Sequence, residues 1–96
     1  MSLFYPPPID SHVKTELHNK PGLKSAYALL EDSVKANPRQ ASPETFILNG
    51  GLKVHCYRKS IRATSYSKEM VFSKDEIVIL YEVLGDVIRV VNVYFP

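Results

Sequence analysis

Apolar positions follow two periods along this chain, and the change from one to the other falls near residue 46. Upstream, Val13 and Leu17 lie one helical turn apart, while Leu23, Ala26, Tyr27, Leu30 and Val34 form a stripe that leaves Lys24, Glu31, Asp32 and Lys35 outside it. Spacings of three and four are those of a helix that buries one side. They predict a short helix capped by Asp10 or Ser11 and ended at Asn19-Lys20-Pro21-Gly22. A second helix is expected from about Leu23 to Ala36, stopped by Asn37-Pro38. Phe4-Tyr5-Pro6-Pro7-Pro8 reads as an extended arm, because proline fixes φ and removes a donor. Met1-Ser2-Leu3 is assigned no part in the fold, and Arg39 through Glu44 reads as loop.

Downstream the period is two. Phe46-Ile47-Leu48 leads through a turn at Asn49-Gly50-Gly51 into a strand from Leu52 to Ala63, where Leu52, Val54 and Cys56 oppose Lys53, His55 and Tyr57. A turn is expected at Thr64 to Lys68 and a short extension at Met70 to Phe72. Ile77 to Leu84 and Val87 to Phe95 then form a hairpin about Gly85-Asp86. Both faces of these last strands are mostly apolar, whereas a sheet covered on one face alternates cleanly, so the second face is also expected to be partly buried. The order of elements predicts an α+β domain over residues 1–96: an extended Pro-rich arm (1–8), a helical hairpin (9–37), and a curved antiparallel sheet of three to four strands (46–96).

With 96 residues, 45% apolar and 23% charged, the chain is one folded domain rather than a disordered segment. Its single cysteine, Cys56, forms no internal disulfide, which suits a reducing, cytoplasmic compartment. No run of about 18 apolar residues spans a bilayer and no export signal opens the chain. His12, His18 and His55 read as solvated side chains, so neither a metal nor a cofactor is expected. Gly-rich phosphate loops and Ser/His/Asp orderings are missing, which sets aside nucleotide-dependent enzymes and hydrolases of those classes. The net charge of +2 hides an uneven distribution: residues 50–74 carry Lys53, Arg58, Lys59, Arg62, Lys68 and Lys74 against Glu69 alone. Such a block attracts a polyanion or an acidic partner, or is an ordinary solvated strand face.

Three local features coincide with this order of elements: the helix exit Ala36-Asn37-Pro38-Arg39, the basic strand Lys53 to Arg62, and Ile79-Leu80-Tyr81-Glu82-Val83 running through Gly85-Asp86 into Val87-Ile88-Arg89-Val90. On these, the chain from about residue 10 to 95 resembles the RelE/ParE superfamily of bacterial toxin–antitoxin toxins. The resemblance implies a RelE-like endoribonuclease that cuts mRNA on the ribosome without a metal, held inactive by an antitoxin protein. It implies, as the alternative, a ParE-like poison of DNA gyrase or a degenerate partner-binding module. The oligomeric state stays open.

Metal-free RNA cleavage passes the scissile phosphoryl group to the neighbouring 2′ oxygen, which needs a base, an acid and cations for the transition-state charge. Lys53, His55, Lys59 and Arg62 are the candidates on the middle strand, with Arg89 and Tyr94 from the last; Tyr81 is a further stacking candidate. On a regular strand Lys53, His55, Tyr57 and Lys59 share one face while Arg58 and Arg62 share the other, so Lys53, His55 and Lys59 form the core of the expected set. Each has a structural alternative. Lys53 and Lys59 can keep a sheet edge soluble, Tyr81 can sit in the core, and Arg89 can pair with Glu82 across the hairpin. The RNA-cutting relatives also continue past the last strand in a basic and aromatic tail. Val93-Tyr94-Phe95-Pro96 offers only Tyr94 in its place, which weakens the enzyme expectation and keeps the ParE-like or degenerate alternative in play.

Overall fold

A computed structural model of the chain describes residues 2–62 and 76–96. The expected turn at Thr64 to Lys68 and extension at Met70 to Phe72, with Lys68, Glu69 and Lys74 of the basic block, lie outside the described residues. The elements are β1 (Ser2–Phe4), α1 (Pro7–Asn19), a 3₁₀ turn (Pro21–Leu23), α2 (Lys24–Ala36), β2 (Ser42–Ile47), β3 (Lys53–Arg62), β4 (Glu76–Leu84) and β5 (Val87–Tyr94). They build an α+β fold in which two helices lie on one face of a five-stranded mixed sheet of order β1-β5-β4-β3-β2.

Helix α1 begins three residues earlier than its predicted cap. Pro7 and Pro8 occupy its first turn, where a missing N–H costs nothing, and the amides of Ile9 and Asp10 close that turn on the Pro6 carbonyl at 2.9 Å. The arm is therefore helical from Pro7. Its start is a strand: Ser2–Phe4 pairs in parallel with β5, Leu3 opposite Ile88, so residues assigned no role complete the sheet and make it mixed rather than antiparallel. A second difference is at Ser42–Ile47, which extends into residues read as loop and pairs antiparallel with β3. Pro43 suggested a break there, but an edge strand tolerates proline wherever the missing N–H would face outward.

Val13, Tyr27, Leu30 and Val34 from the helices meet Ile77, Ile79, Tyr81, Ile88, Val90 and Val93 from the sheet. The phase of β5 changes between Val90 and Val93. Leu80 pairs with Asn92 while Tyr81 pairs with Val90, so Val91 is an extra residue with no opposite number. This bulge keeps Ile88, Val90 and Val93 all on the helix side, at 0%, 0% and 1% exposure, although strict alternation separates the first two from the third. The apolar run Val90-Val91 therefore reflects a phase change, while the second face of β4 is partly buried as expected, with Leu80 4% exposed.

Hydrogen bonds fix the seams between layers. The Tyr81 hydroxyl donates to the Pro38 carbonyl at 2.6 Å, tying the centre of the sheet to the segment after α2, and its ring lies beside Tyr57. The Tyr5 hydroxyl donates to a Glu31 carboxylate oxygen at 2.8 Å and meets the Tyr27 hydroxyl at 2.5 Å, joining the segment after β1 to α2. Burial pushes the Tyr81 phenol up to about 12 from 10.0, with Tyr57 adding to the rise. A raised folded-state value favours the folded form fully below the unfolded value, and that advantage fades as pH climbs through the folded one. Stability is thus expected to fall between about pH 10 and pH 12, and Tyr81→Phe is expected to flatten part of that fall in urea titrations run across the interval.

Candidate functional site

Leu80 alternates with the core residues Ile79 and Tyr81, so it points away from the helices, yet it is 4% exposed. Its neighbours on that face supply the cover. The register sets Arg58 opposite Leu80, Val78 opposite Tyr94, and Phe46 and Glu44 on β2 opposite Val54 and Cys56. Glu44, Phe46, Arg58, Val78, Leu80 and Tyr94 line a hollow of about 440 Å³ on the face the helices leave open. Its floor is aliphatic, while Tyr94, 46% exposed, and the Arg58 guanidinium, 3.8 Å from the Glu76 carboxylate, supply polar groups at its margin. An apolar floor with a few polar groups around it is the usual chemistry of a binding surface.

A second hollow, about 300 Å³, opens where the β3–β4 ladder ends, among His55, Cys56, Tyr57, Glu82, Val83 and Leu84. Cys56 is buried there. Desolvation, then the carboxylates of Glu44 and Glu82, push its thiol above the ordinary value, the opposite of what a nucleophile needs.

The six expected catalytic residues fall on two faces. Lys53, His55 and Lys59 share the helix side with Tyr57; Arg62, Arg89 and Tyr94 share the open side by alternation and pairing. The Lys59 ammonium donates to the Ser33 carbonyl at 2.8 Å and also reaches the Ser33 hydroxyl at 3.1 Å, so it caps the end of α2, and desolvation draws its pKa below the ordinary lysine value. Lys53 and His55 are exposed on the same strand. At about 3.3 Å per residue, Lys53 and Lys59 stand roughly 20 Å apart at the backbone, too far to grip one phosphate. Arg89 forms an ion pair with Glu82 across the hairpin, the structural alternative weighed for it, and stands roughly 16 Å along β5 from Tyr94. Among the described residues, then, Tyr94 alone of the six lines the larger hollow.

Sequence reasoning passed over Arg58, Phe46 and Glu44. Arg58 was separable from Lys53, His55 and Lys59 by parity, but nothing local announces that Leu80, two strand positions from Val78 and Tyr94, lies beside it. That neighbourhood depends on the β3–β4 register, which the hydrophobic pattern leaves free to slide by two residues at a time.

Among the described residues no group of three or more His, Cys, Asp and Glu side chains is placed to hold a metal ion. No helix among them is long and apolar enough to cross a membrane. Compared with protein-family models, curated proteins and solved structures, the chain matches none significantly.

Proposed function

We propose that this chain is the toxin-like member of a RelE/ParE-type pair and acts by binding a protein through the open face of its sheet rather than by cutting RNA. In this reading the antiparallel run β2–β5 under α1 and α2 is the toxin-type meander, β1 is an addition to its edge, and the cognate antitoxin covers the open face. The observation that carries it is the division of the cationic candidates: Lys59 is engaged by Ser33, Arg89 by Glu82, and Lys53 and His55 stand on the face opposite the hollow. A base, an acid and transition-state cations need to converge within hydrogen-bond reach of one phosphate, and these residues do not. A protein-binding surface asks for less, namely an apolar floor with an aromatic anchor and an arginine at its edge, and Tyr94, Leu80 and Arg58 meet that description.

The test is induction of the chain in bacteria, with growth followed and the 5′ ends of cellular RNA mapped. Growth arrest without new RNA ends is expected. New ends that disappear when Lys53, His55 and Lys59 are all changed to alanine would assign the chain to the RNA-cutting class instead, and undisturbed growth would remove the toxin reading altogether.

A further inference from the structure

We infer that the outer edge of β2 is a self-pairing surface through which two copies of this chain join their sheets, an inference that goes beyond the toxin reading and stands without it. The direction of each backbone group along β2 follows from one bond. The Leu48 amide donates to the Leu52 carbonyl at 2.8 Å, one step beyond the pairing of Ile47 with Lys53. Reciprocally bonded pairs alternate along an antiparallel ladder, so Phe46 and Glu44 turn their amides and carbonyls toward β3, while Thr45 and Ile47 turn theirs outward. Pro43 falls in the outward set, where its missing donor leaves the β2–β3 ladder whole.

Among the described residues no strand pairs with that edge, because β2 is the last strand in the sheet order. Exposed edges are ordinarily blunted by short length, lysine or proline. At the opposite edge β1 is only three residues long. On β2, Pro43 and Glu44 guard one end, but Thr45-Phe46-Ile47-Leu48 carries no charge. Apolar side chains are exposed beside it, with Ile47 62%, Leu48 39% and Leu52 65% exposed.

A second copy fits this edge because the edge is complementary to itself. Antiparallel pairing about a two-fold axis at Phe46 sets Thr45 against Ile47 of the second copy and Ile47 against its Thr45, so both outward amides and both outward carbonyls are bonded. Pro43 then lies beyond the bonded stretch, where it limits the pairing without interrupting it. Phe46 meets its own copy at a non-bonded position, where side chains approach most closely and aromatic pairs are favourable. Glu44 faces Leu48 rather than a second Glu44, so like charges stay apart.

Sedimentation velocity of the full chain from micromolar to millimolar concentration tests this, read together with amide exchange. A reversible monomer–dimer equilibrium is expected, with exchange at Thr45 and Ile47 slowing as concentration rises. Thr45→Pro removes one outward donor, and Ile47→Lys places a charge against the second copy; each is expected to weaken association tenfold or more. Leu29→Lys on α2, at a position 61% exposed, is expected to associate as the unchanged chain does. The Thr45 amide bonds nothing in β3, so Thr45→Pro is expected to fold, and Ile47→Lys carries the test if it does not. A chain that stays monomeric throughout, or a dimer indifferent to Ile47→Lys, would overturn the inference.

Discussion

Deleting Val91 is expected to leave a folded protein, whereas deleting Val78 is expected to abolish folding. Both remove one half-buried valine from a strand of the sheet. Register separates them. Without Val91, Tyr81 still pairs with Val90 and Leu80 with Asn92, so every core side chain keeps its place and only the bulge is lost. A cost of about 1 kcal/mol is expected, typical of a single change outside the core. Without Val78, residues N-terminal to it move one step along the strand and change faces. Ile77, fully buried, moves to the open face, and Glu76 takes its place under the helices. Losing a buried isoleucine costs about 2–5 kcal/mol, and an unpaired carboxylate in its position adds several more. Against a total stability of about 5–15 kcal/mol for a domain of this kind, that is enough to unfold it. Thermal melts followed by circular dichroism distinguish the two, with a cooperative transition for the Val91 deletion and none for the Val78 deletion.

The same bulge shows what local pattern can and cannot carry. Helix α2 was readable because its stripe of Tyr27, Leu30 and Val34 is set by backbone geometry alone, and Asn37-Pro38 ends it for local reasons. The hairpin about Gly85 was readable likewise, since Gly85 adopts a φ of 61°, which the turn requires and other residues resist. Pro7 and Pro8 misled because proline serves an extended arm and a helical first turn equally well, and the choice depends on the downstream amides that close on Pro6. Leu3 offered no period at all; three residues become a strand only because β5 presents an edge to them. The candidate site depended still more on tertiary pairing. Lys53, His55 and Lys59 were rightly grouped on one face, but which face the helices cover is a property of the assembled sheet, and α2 covers the side that holds Lys59.

Tyr94→Ala is expected to abolish growth inhibition while leaving the fold intact. Tyr94 is 46% exposed and contributes to the hollow rather than to the core beneath the helices, so its removal is expected to shift the melting temperature by only a few degrees. On the proposed function its role in binding is expected to be larger. A tyrosine anchoring a protein interface contributes about 2 kcal/mol or more when truncated, which corresponds to a loss of affinity of about 30-fold. Arg58→Ala is expected to act in the same direction and less strongly, because the guanidinium stands at the margin and its pairing with Glu76 is solvent-exposed. Both variants carry the readout of a surface role, namely weakened inhibition with a melting temperature lowered by no more than a few degrees.

The most direct measurement sets two variants beside each other after induction in bacteria: one with Lys53, His55 and Lys59 all changed to alanine, the other with Tyr94 changed to alanine. If the open face of the sheet carries the activity, the triple variant arrests growth like the unchanged chain and the Tyr94 variant does not. Arrest by the Tyr94 variant together with normal growth of the triple variant would contradict the account, and would place the activity on the lysine-bearing face.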